Sequence, residues 1–392
     1  MAKNFVVGFD VGTQNIRIGI SNAIHGGELV LPKIEGSGIY PAKGLHNGYV
    51  SEKEELVEAL KHARNDIEKR FKFRIKKTLV SVGGIGLNNI TVSAETAVSK
   101  GDSEITELDV ERLSELCEEN IPKQSIINRK ILHSIPLSYK IDGKPTPTGN
   151  PIGMKGVKLE AKYLFITVLE QHLNNLVDSF EEAGIEVSEL VAGPIAAGMI
   201  LLSKRDRRVG CALVNIGAET VSIVVYENGI PVSLEIIPAG SNNITNDIAL
   251  GLKISLEEAD HIKQGGLTTT VYPKKKLEEI IDARLSDIFD MVDSHLRKIG
   301  RSGLLPAGIT FSGSGSQIFG LEELARGYLN LPTRIGMIPN KNSKESGKDS
   351  SWASVYGLCL IGLGSGEDDE RMGMFLRKVG LKLKRTIKRF MP

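Results

Sequence analysis

The chain has 392 residues, of which 41% are hydrophobic and 25% charged, and its formal net charge at pH 7 is +1. That length exceeds one ordinary hydrophobic core, so we expect two lobes. The near-neutral total excludes a protein that binds nucleic acid through its overall charge, and we expect no nucleic-acid partner.

Composition also bears on compartment. The three cysteines, Cys117, Cys211 and Cys359, lack metal-ligand spacing, which predicts reduced, buried thiols of a cytosolic protein. The N-terminus shows no signal-peptide pattern. The longest apolar run, residues 190–202, is shorter than the ~20 residues that span a bilayer and predicts a buried helix instead.

Hydrophobic periodicity predicts an alternation of strands and helices, which indicates a mixed α/β protein. In chain order the predicted elements are a hairpin at 5–20, a helix at 52–71, strands at 78–97, a helix at 107–117, strands with loops at 130–169, helices at 174–182 and 190–203, a hairpin at 212–226, helices at 243–251, 255–264 and 277–299, a strand, turn and helix at 308–320, a polar loop at 340–350 and a linker at 362–373. Ser51 and Glu54 predict a capping box for the first helix, and Leu108 is predicted to face inward.

The two hairpins are copies of one pattern, a buried strand, a polar turn with a glycine and an alternating strand. Gly12 in the first corresponds to Gly217 in the second, and Asp10 corresponds to Asn215. Two such hairpins half a chain apart predict two related lobes that face each other.

Paired turns of this kind suit a triphosphate, because backbone N–H groups can cradle the anion where small residues allow close approach. The candidate phosphate-binding residues are Asp10, Gly12, Thr13, Gln14, Asn15, Asn215, Gly217, Ala218, Glu219 and Thr220. Asp10, at a strand end, is the candidate for holding Mg²⁺ through water. A third turn, residues 311–317, suits a purine–ribose edge or a phosphate. Each glycine turn alone is most often structural, whereas the ordered trio is more specific.

The trio resembles the two phosphate loops and the adenosine loop of the actin, Hsp70 and sugar-kinase superfold, and residues 187–198 resemble its connecting helix. This resemblance implies ATP and Mg²⁺ as cofactors and two lobes of duplicated ribonuclease H-like domains. The residues that it implies for the nucleoside are Asp260, Lys263, Gly313, Ser314, Gly315 and Gln317. For Asp260 and Lys263, an exposed i,i+3 ion pair is an equal alternative.

Within that superfold the chain resembles the FtsA family of bacterial cell-division proteins, above all at residues 131–139 and 150–160, which are similar to the small subdomain particular to FtsA. The domains that this resemblance implies are subdomain 1A at 1–80, completed by about 164–205 and 337–362, an FtsA-type subdomain 1C at 81–163, a second lobe at 206–336 with subdomain 2B at about 241–299, a linker at 363–373 and a membrane-targeting helix at 374–391. It also implies polymerisation, docking of the FtsZ C-terminal tail on subdomain 2B, and a peripheral location on the cytoplasmic face of the membrane at the division site.

Several positions depart from the FtsA pattern. Asn215 stands where an aspartate is usual, residues 221–222 read Val-Ser instead of Thr-Asp, Glu219 replaces a glycine, and Asn15 replaces a lysine. These changes remove groups for Mg²⁺, water or phosphate, or add negative charge. They predict ATP binding with slow or no hydrolysis, unless neighbouring residues compensate.

The C-terminus carries the strongest charge signal, because basic residues follow Glu370 without a further acid. On a helix over 374–391 the apolar residues form one face and the basic residues the other, which is typical of an interfacial helix on an anionic membrane. The apolar set is Phe375, Leu376, Val379, Leu383, Ile387 and Phe390, and the basic set is Arg377, Lys378, Lys382, Lys384, Arg385, Lys388 and Arg389. A partner groove or a nucleic acid would be the alternatives.

Two other functions remain open from the residues: a PilM-like protein of type IV pilus assembly, and a sugar or acetate kinase. The PilM type lacks the basic terminal helix. A kinase would need a catalytic aspartate between the lobes, and no good candidate is evident in the sequence.

Overall fold

A computed structural model of the chain describes residues 5–22, 31–99, 101–146, 149–266, 272–339 and 349–364. The strands are β1 (Phe5–Val11), β2 (Asn15–Asn22), β3 (Ile34–Pro41), β4 (Leu45–His46), β5 (Tyr49–Val50), β6 (Lys77–Val82), β7 (Leu87–Ala97), β8 (Arg129–Ile141), β9 (Lys144–Pro145), β10 (Lys158–Leu169), β11 (Glu186–Ala192), β12 (Cys211–Ile216), β13 (Val221–Glu227), β14 (Ile230–Ile237), β15 (Ile309–Ser312) and β16 (Thr333–Ile335). The helices are α1 (Lys53–Phe71), α2 (Glu107–Glu119), α3 (Lys123–Ile126), α4 (Glu170–Glu182), α5 (Gly193–Leu201), α6 (Lys204–Val209), α7 (Ser241–Leu252), α8 (Leu256–Lys263), α9 (Lys274–Lys298), α10 (Leu321–Leu329) and α11 (Ala353–Gly362).

The chain builds the same five-stranded sheet twice. The first sheet has the order β11-β6-β1-β2-β3 and the second has the order β14-β13-β12-β15-β16. In each, three consecutive strands pair antiparallel, and two later strands add in parallel beside the first of the three. This duplication confirms the predicted two-lobed α/β fold.

Alternation along the strands of the second sheet divides its side chains between two cores. Leu213 and Val224 join the core that α5 shares with the first lobe. Val214 and Ile223, one position along, join the core that α7, α9 and α10 cover. All four side chains are at most 1% exposed. Full burial of each contributes about 1.5–3 kcal/mol, so both faces stabilise the lobe.

A third sheet, in the order β7-β10-β8-β9, is inserted between β6 and β11 of the first lobe. Helix α2 covers it through Val110, Leu113 and Cys117. The first half of β8, with Leu132 and Ile135, and the second half of β10, with Leu164 and Ile166, pack into the first-lobe core. This packing anchors the insertion. His133 of β8 also accepts a hydrogen bond from the Ala192 N–H at the end of β11 (2.9 Å).

The predicted helix at 190–203 was wrong in its first three residues. Residues 186–192 form β11, which pairs in parallel with β6, and the helix begins only at Gly193. A short apolar run fits a buried strand as well as a buried helix, so periodicity could not separate the two. Pro194, in the first turn of α5, is where a helix start tolerates proline.

Three local predictions also need correction. The N-cap of α1 is Glu52, without a side-chain cap, because the Ser51 hydroxyl donates to the Gly44 carbonyl instead (3.2 Å). Leu108 is 73% exposed, since the first turn of α2 is fixed by a capping box between Thr106 and Asp109. The helix predicted at 174–182 begins at 170, directly after β10.

The three cysteines are buried and unbridged, as predicted. None of the described helices combines the length and the apolar character that a membrane span requires. Most of the predicted loop at 340–350, and all of the predicted helix at 374–391, lie outside the described residues.

Candidate functional site

The two hairpins end in turns of the same construction. In the first, the Gly12 N–H donates to the Asn15 carbonyl (3.0 Å), and in the second the Gly217 N–H donates to the Thr220 carbonyl (2.8 Å). Asp10 lies opposite Arg17 on β1 and β2, and the equivalent pair on β12 and β13 is Asn215 and Ser222. Local sequence therefore closes both turns in the same way.

Both turns face one open cleft between the lobes, with an empty volume of about 910 Å³ that includes open solvent. Its described lining comprises Asp10, Val11, Gly12, Thr13, Gln14, Asn15, Arg17, Gly48, Ser81, Gly83, Gly84, Gly193, Pro194, Ala197, Asn215, Gly217, Ala218, Thr220, Ser222, Ile236, Ser312, Gly313, Ser314, Ser350, Ser351 and Ser354. The structure thus brings together most of the residues named for phosphate binding.

Glu219 is the phosphate-loop candidate that does not line the cleft. Its carboxylate turns to the first lobe, where it accepts the Asn47 N–H (2.6 Å) and lies 3.3 Å from His46 Nδ1. Of the nucleoside candidates, Gly313 and Ser314 line the cleft, whereas Gly315 is buried beside it and Gln317 is exposed.

Asp260 and Lys263 are also absent from the described lining. Lys263 Nζ contacts Asp260 Oδ1 (2.7 Å) and donates to Thr245 Oγ1 (2.7 Å) and to the Ser241 carbonyl (3.3 Å). The i,i+3 ion pair therefore exists, and it ties α8 to α7.

Asp10 is held in the cleft by Ser81 of the neighbouring strand. The Ser81 hydroxyl at the end of β6 donates to Asp10 Oδ1 (2.6 Å) and accepts the Val11 N–H (3.3 Å). Burial raises the pKa of Asp10 above its usual value, while the Arg17 charge and the Ser81 hydrogen bond oppose that rise.

The second turn rests on the N-terminus of α7. The Ser241 N–H donates to the Gly217 carbonyl and the Asn242 N–H to the Ala218 carbonyl, both at 2.8 Å. Gly240 permits this seat, because a Cβ there would lie 2.4 Å from the Ala218 carbonyl oxygen. Backbone contact of this closeness explains why a glycine precedes α7.

A second close approach shapes the third turn. Gly313 has a φ of +86°, and a Cβ there would lie 2.2 Å from Asn215 Oδ1 and 2.5 Å from the Ile216 carbonyl oxygen. The turn after β15 therefore packs directly against the end of β12, at the position equivalent to Asp10. Glycine is needed for both the backbone conformation and the space.

Sequence reasoning missed several lining residues. Arg17 lies two residues after Asn15 on β2, so both side chains are on the same face of the strand. This alternation could have predicted Arg17 as a lining residue. Its Nε has no hydrogen-bond partner among the described atoms, and neither has the hydroxyl of Ser312, which is 1% exposed. Ser81, from β6, carried no local signal at all.

A duplicated five-stranded sheet with matched hairpin turns facing one cleft defines the actin-like ATPase fold. Solved structures agree: the chain superposes on a PilM–PilN type IV pilus biogenesis complex with a TM-score of 0.67 at 16% identity, covering 92% of this chain and 99% of that one. It superposes on MreB5 of Spiroplasma citri bound to ADP with a TM-score of 0.51 at 14% identity, covering 95% and 98%. At these identities the likeness shows the fold alone.

Sequence comparison identifies the family. A profile described as "Cell division protein FtsA" matches residues 212–357, and one described as "SHS2 domain inserted in FTSA" matches residues 84–167. The cell division protein FtsA of Bacillus subtilis is 30% identical over 84% of this chain and 78% of its own length. The cell division protein FtsA of Borreliella burgdorferi is 29% identical over 99% of this chain and 97% of its own length. The chain belongs to the FtsA family of actin-like cell division proteins.

Proposed function

We propose that this chain binds ATP with Mg²⁺ between its two hairpin turns, hydrolyses it slowly or not at all, and polymerises on the membrane, where it holds the FtsZ ring. The observation that carries the nucleotide part is the pair of matched turns facing one cleft. The cell-division part rests on the family.

The seating of the turns supports phosphate binding. In a trans peptide the N–H points opposite to the carbonyl. The carbonyls of Gly217 and Ala218 accept hydrogen bonds from the N-terminus of α7. The N–H groups on the other side of the same peptide bonds, those of Ala218 and Glu219, therefore point away from α7. In the first turn the Ala42 N–H donates to the Gln14 carbonyl (3.0 Å), so the Asn15 N–H of the same peptide bond points away from Ala42. Such N–H groups form an anion cradle.

Two lining side chains add to the cradle. Arg17 brings a permanent positive charge, and its Nε has no hydrogen-bond partner among the described atoms. We propose that it supplies the phosphate neutralisation for which Asn15 is unsuited. The buried Ser312 hydroxyl, also without a described partner, would bond to the nucleotide.

Mg²⁺ fits Asp10, because a carboxylate with several retained waters is a usual protein environment for this ion. The bound ion would offset phosphate charge. Among the described lining residues Asp10 carries the only carboxylate, and Ser81 already hydrogen-bonds it. Asn215 and Ser222 supply no general base on the opposite side. We therefore propose binding without efficient hydrolysis, and the same shortage argues against a kinase.

Membrane attachment is proposed from the sequence of residues 374–391 and from the family. Each Lys or Arg near anionic lipid contributes about 1 kcal/mol, so one such helix is a reversible anchor. Polymerisation would multiply these weak anchors by avidity. The FtsZ tail is proposed to dock on subdomain 2B, which α7, α8 and α9 form.

Two experiments test the proposal. ATP titration of the purified chain with and without Mg²⁺, run beside phosphate release, should show binding with little turnover; brisk turnover would contradict us.

Flotation with anionic vesicles should recover the full chain together with an FtsZ tail peptide. A chain ending at Arg371 should stay unbound, and persistent flotation of that variant would refute the anchor. PilM-type function would instead show no vesicle binding through this segment.

A further inference from the structure

A short hairpin of the first lobe touches both phosphate turns. Strands β4 and β5 are joined by Asn47 and Gly48, which both have positive φ (48° and 69°). This is the two-residue turn that Asn-Gly favours, because both residues tolerate the left-handed region. Gly48 also lines the cleft.

Successive N–H groups of this turn bind the two opposing hairpins. The Asn47 N–H donates to Glu219 Oε2 of the second phosphate turn (2.6 Å). The next N–H, from Gly48, donates to Thr13 Oγ1 of the first phosphate turn (3.0 Å). His46 Nδ1 lies 3.3 Å from the same Glu219 oxygen. One turn therefore bridges the tips on which the nucleotide would rest.

The turn has little freedom to follow a moving lobe. Its Asn47 carbonyl accepts the Ile85 N–H (3.1 Å), and a Cβ on Gly48 would lie 2.5 Å from the Gly84 Cα. The Val50 N–H donates to Nδ1 of the buried His172 (3.3 Å). The first lobe thus holds the turn from behind, while Glu219, whose side chain is only 24% exposed, is the contact from the second lobe.

We propose that Glu219 is a positioning residue: by accepting the Asn47 N–H across the cleft it sets the gap between the two phosphate turns and slows nucleotide exchange. This rests on the proposed function for its nucleotide part. It gives Glu219 the opposite role from the one that its charge alone suggests. A carboxylate beside phosphates would repel them, whereas one held by a backbone N–H in the other lobe closes the site around them.

The two interpretations predict opposite signs for Glu219→Ala and different outcomes for Glu219→Gln. If Glu219 repels phosphate, Glu219→Ala and Glu219→Gln both remove the charge and both tighten ATP binding. If Glu219 sets the gap, Glu219→Ala loses the acceptor and loosens binding, whereas Glu219→Gln keeps an oxygen that can accept the Asn47 N–H.

The first experiment measures dissociation of a fluorescent ATP analogue from the full chain by chasing with unlabelled ATP. For Glu219→Ala we expect release about tenfold faster than wild type, from the loss of a hydrogen bond to a charged group. Glu219→Gln should restore most of the wild-type rate. Glu111→Ala, on the exposed face of α2, is the matched control and should leave the rate unchanged. Slower release from both Glu219 variants would overturn the proposal.

The second experiment needs no nucleotide, so it decides the proposal even if ATP does not bind and the proposed function fails. Spin labels on cysteines introduced at Glu58 of α1 and Leu250 of α7, both exposed, report the separation of the lobes. The native cysteines are buried and should stay unlabelled. Glu219→Ala should broaden the distance distribution and Glu219→Gln should not. An unchanged distribution in Glu219→Ala would overturn the proposal.

Discussion

Gly240 is the position where one added methyl group acts most directly on the second phosphate turn. Its backbone is extended, with a φ of −166°, so alanine there brings no conformational strain. The cost comes from space: the new Cβ would lie 2.4 Å from the Ala218 carbonyl oxygen, 2.5 Å from its carbonyl carbon and 2.6 Å from the Glu219 nitrogen. All three are backbone atoms, so no flexible side chain can move aside.

The magnitude follows from what must give way. Ordinary contact begins near 3.4 Å, so the turn and the start of α7 must separate by about 1 Å. Overpacking of this kind costs about 1–3 kcal/mol. The two hydrogen bonds from Ser241 and Asn242, each worth ~1 kcal/mol, would weaken as well. We expect a total loss of about 2–4 kcal/mol for Gly240→Ala.

Thermal unfolding with and without Mg²⁺ and ATP measures both consequences. The midpoint of the nucleotide-free variant should fall by roughly 2–5 °C, because a chain of 392 residues unfolds with an entropy of about 0.8 kcal/mol/K. The further rise on adding ATP should shrink, because the displaced turn no longer offers its N–H groups. Gly327→Ala is the control: Gly327 lies inside α10 with open space at its Cβ, so alanine should stabilise by about 0.5–1 kcal/mol. A Gly240→Ala variant with wild-type midpoint and ATP affinity would refute the reasoning.

Three further predictions concern single charged or titratable groups. Because burial raises the pKa of Asp10, its protonated form favours folding at low pH, and that contribution disappears as pH rises through the folded pKa. Asp10→Asn should therefore raise the unfolding midpoint of the nucleotide-free chain more at pH 8 than at pH 4, close to the ordinary pKa of an aspartate, and should abolish the Mg²⁺ dependence of ATP binding in titrations. Arg17→Gln should weaken ATP binding about tenfold by calorimetry, while Arg112→Gln, exposed on α2, should have no effect. Burial lowers the pKa of His172 to about 4, so its contribution is complete above pH 6.5 and is lost between pH 6.5 and 4. Urea unfolding between pH 6 and 5, inside that window, should show His172→Gln reducing the pH slope by about 1 kcal/mol per pH unit, and an unchanged slope would contradict the assignment.

Local patterns were sufficient for the hairpins. The strand alternation and the glycine turns around Gly12 and Gly217 are encoded within about fifteen residues each, and the structure closes both with the same hydrogen bond. The same local logic failed at residues 190–192, where pairing with β6, a partner more than a hundred positions away, decided between strand and helix.

The sequence by itself determined which hairpin turns exist, that these hairpins are two copies of one pattern, and which small residues let backbone approach an anion. The tertiary structure alone decided where the charged side chains point. Glu219 turns to Asn47, 172 positions away, and Asp10 bonds to Ser81, 71 positions away, because folding brings these partners together. Periodicity describes one element at a time, whereas the direction in which a charged side chain points depends on the hydrogen-bond partners that another element places near it.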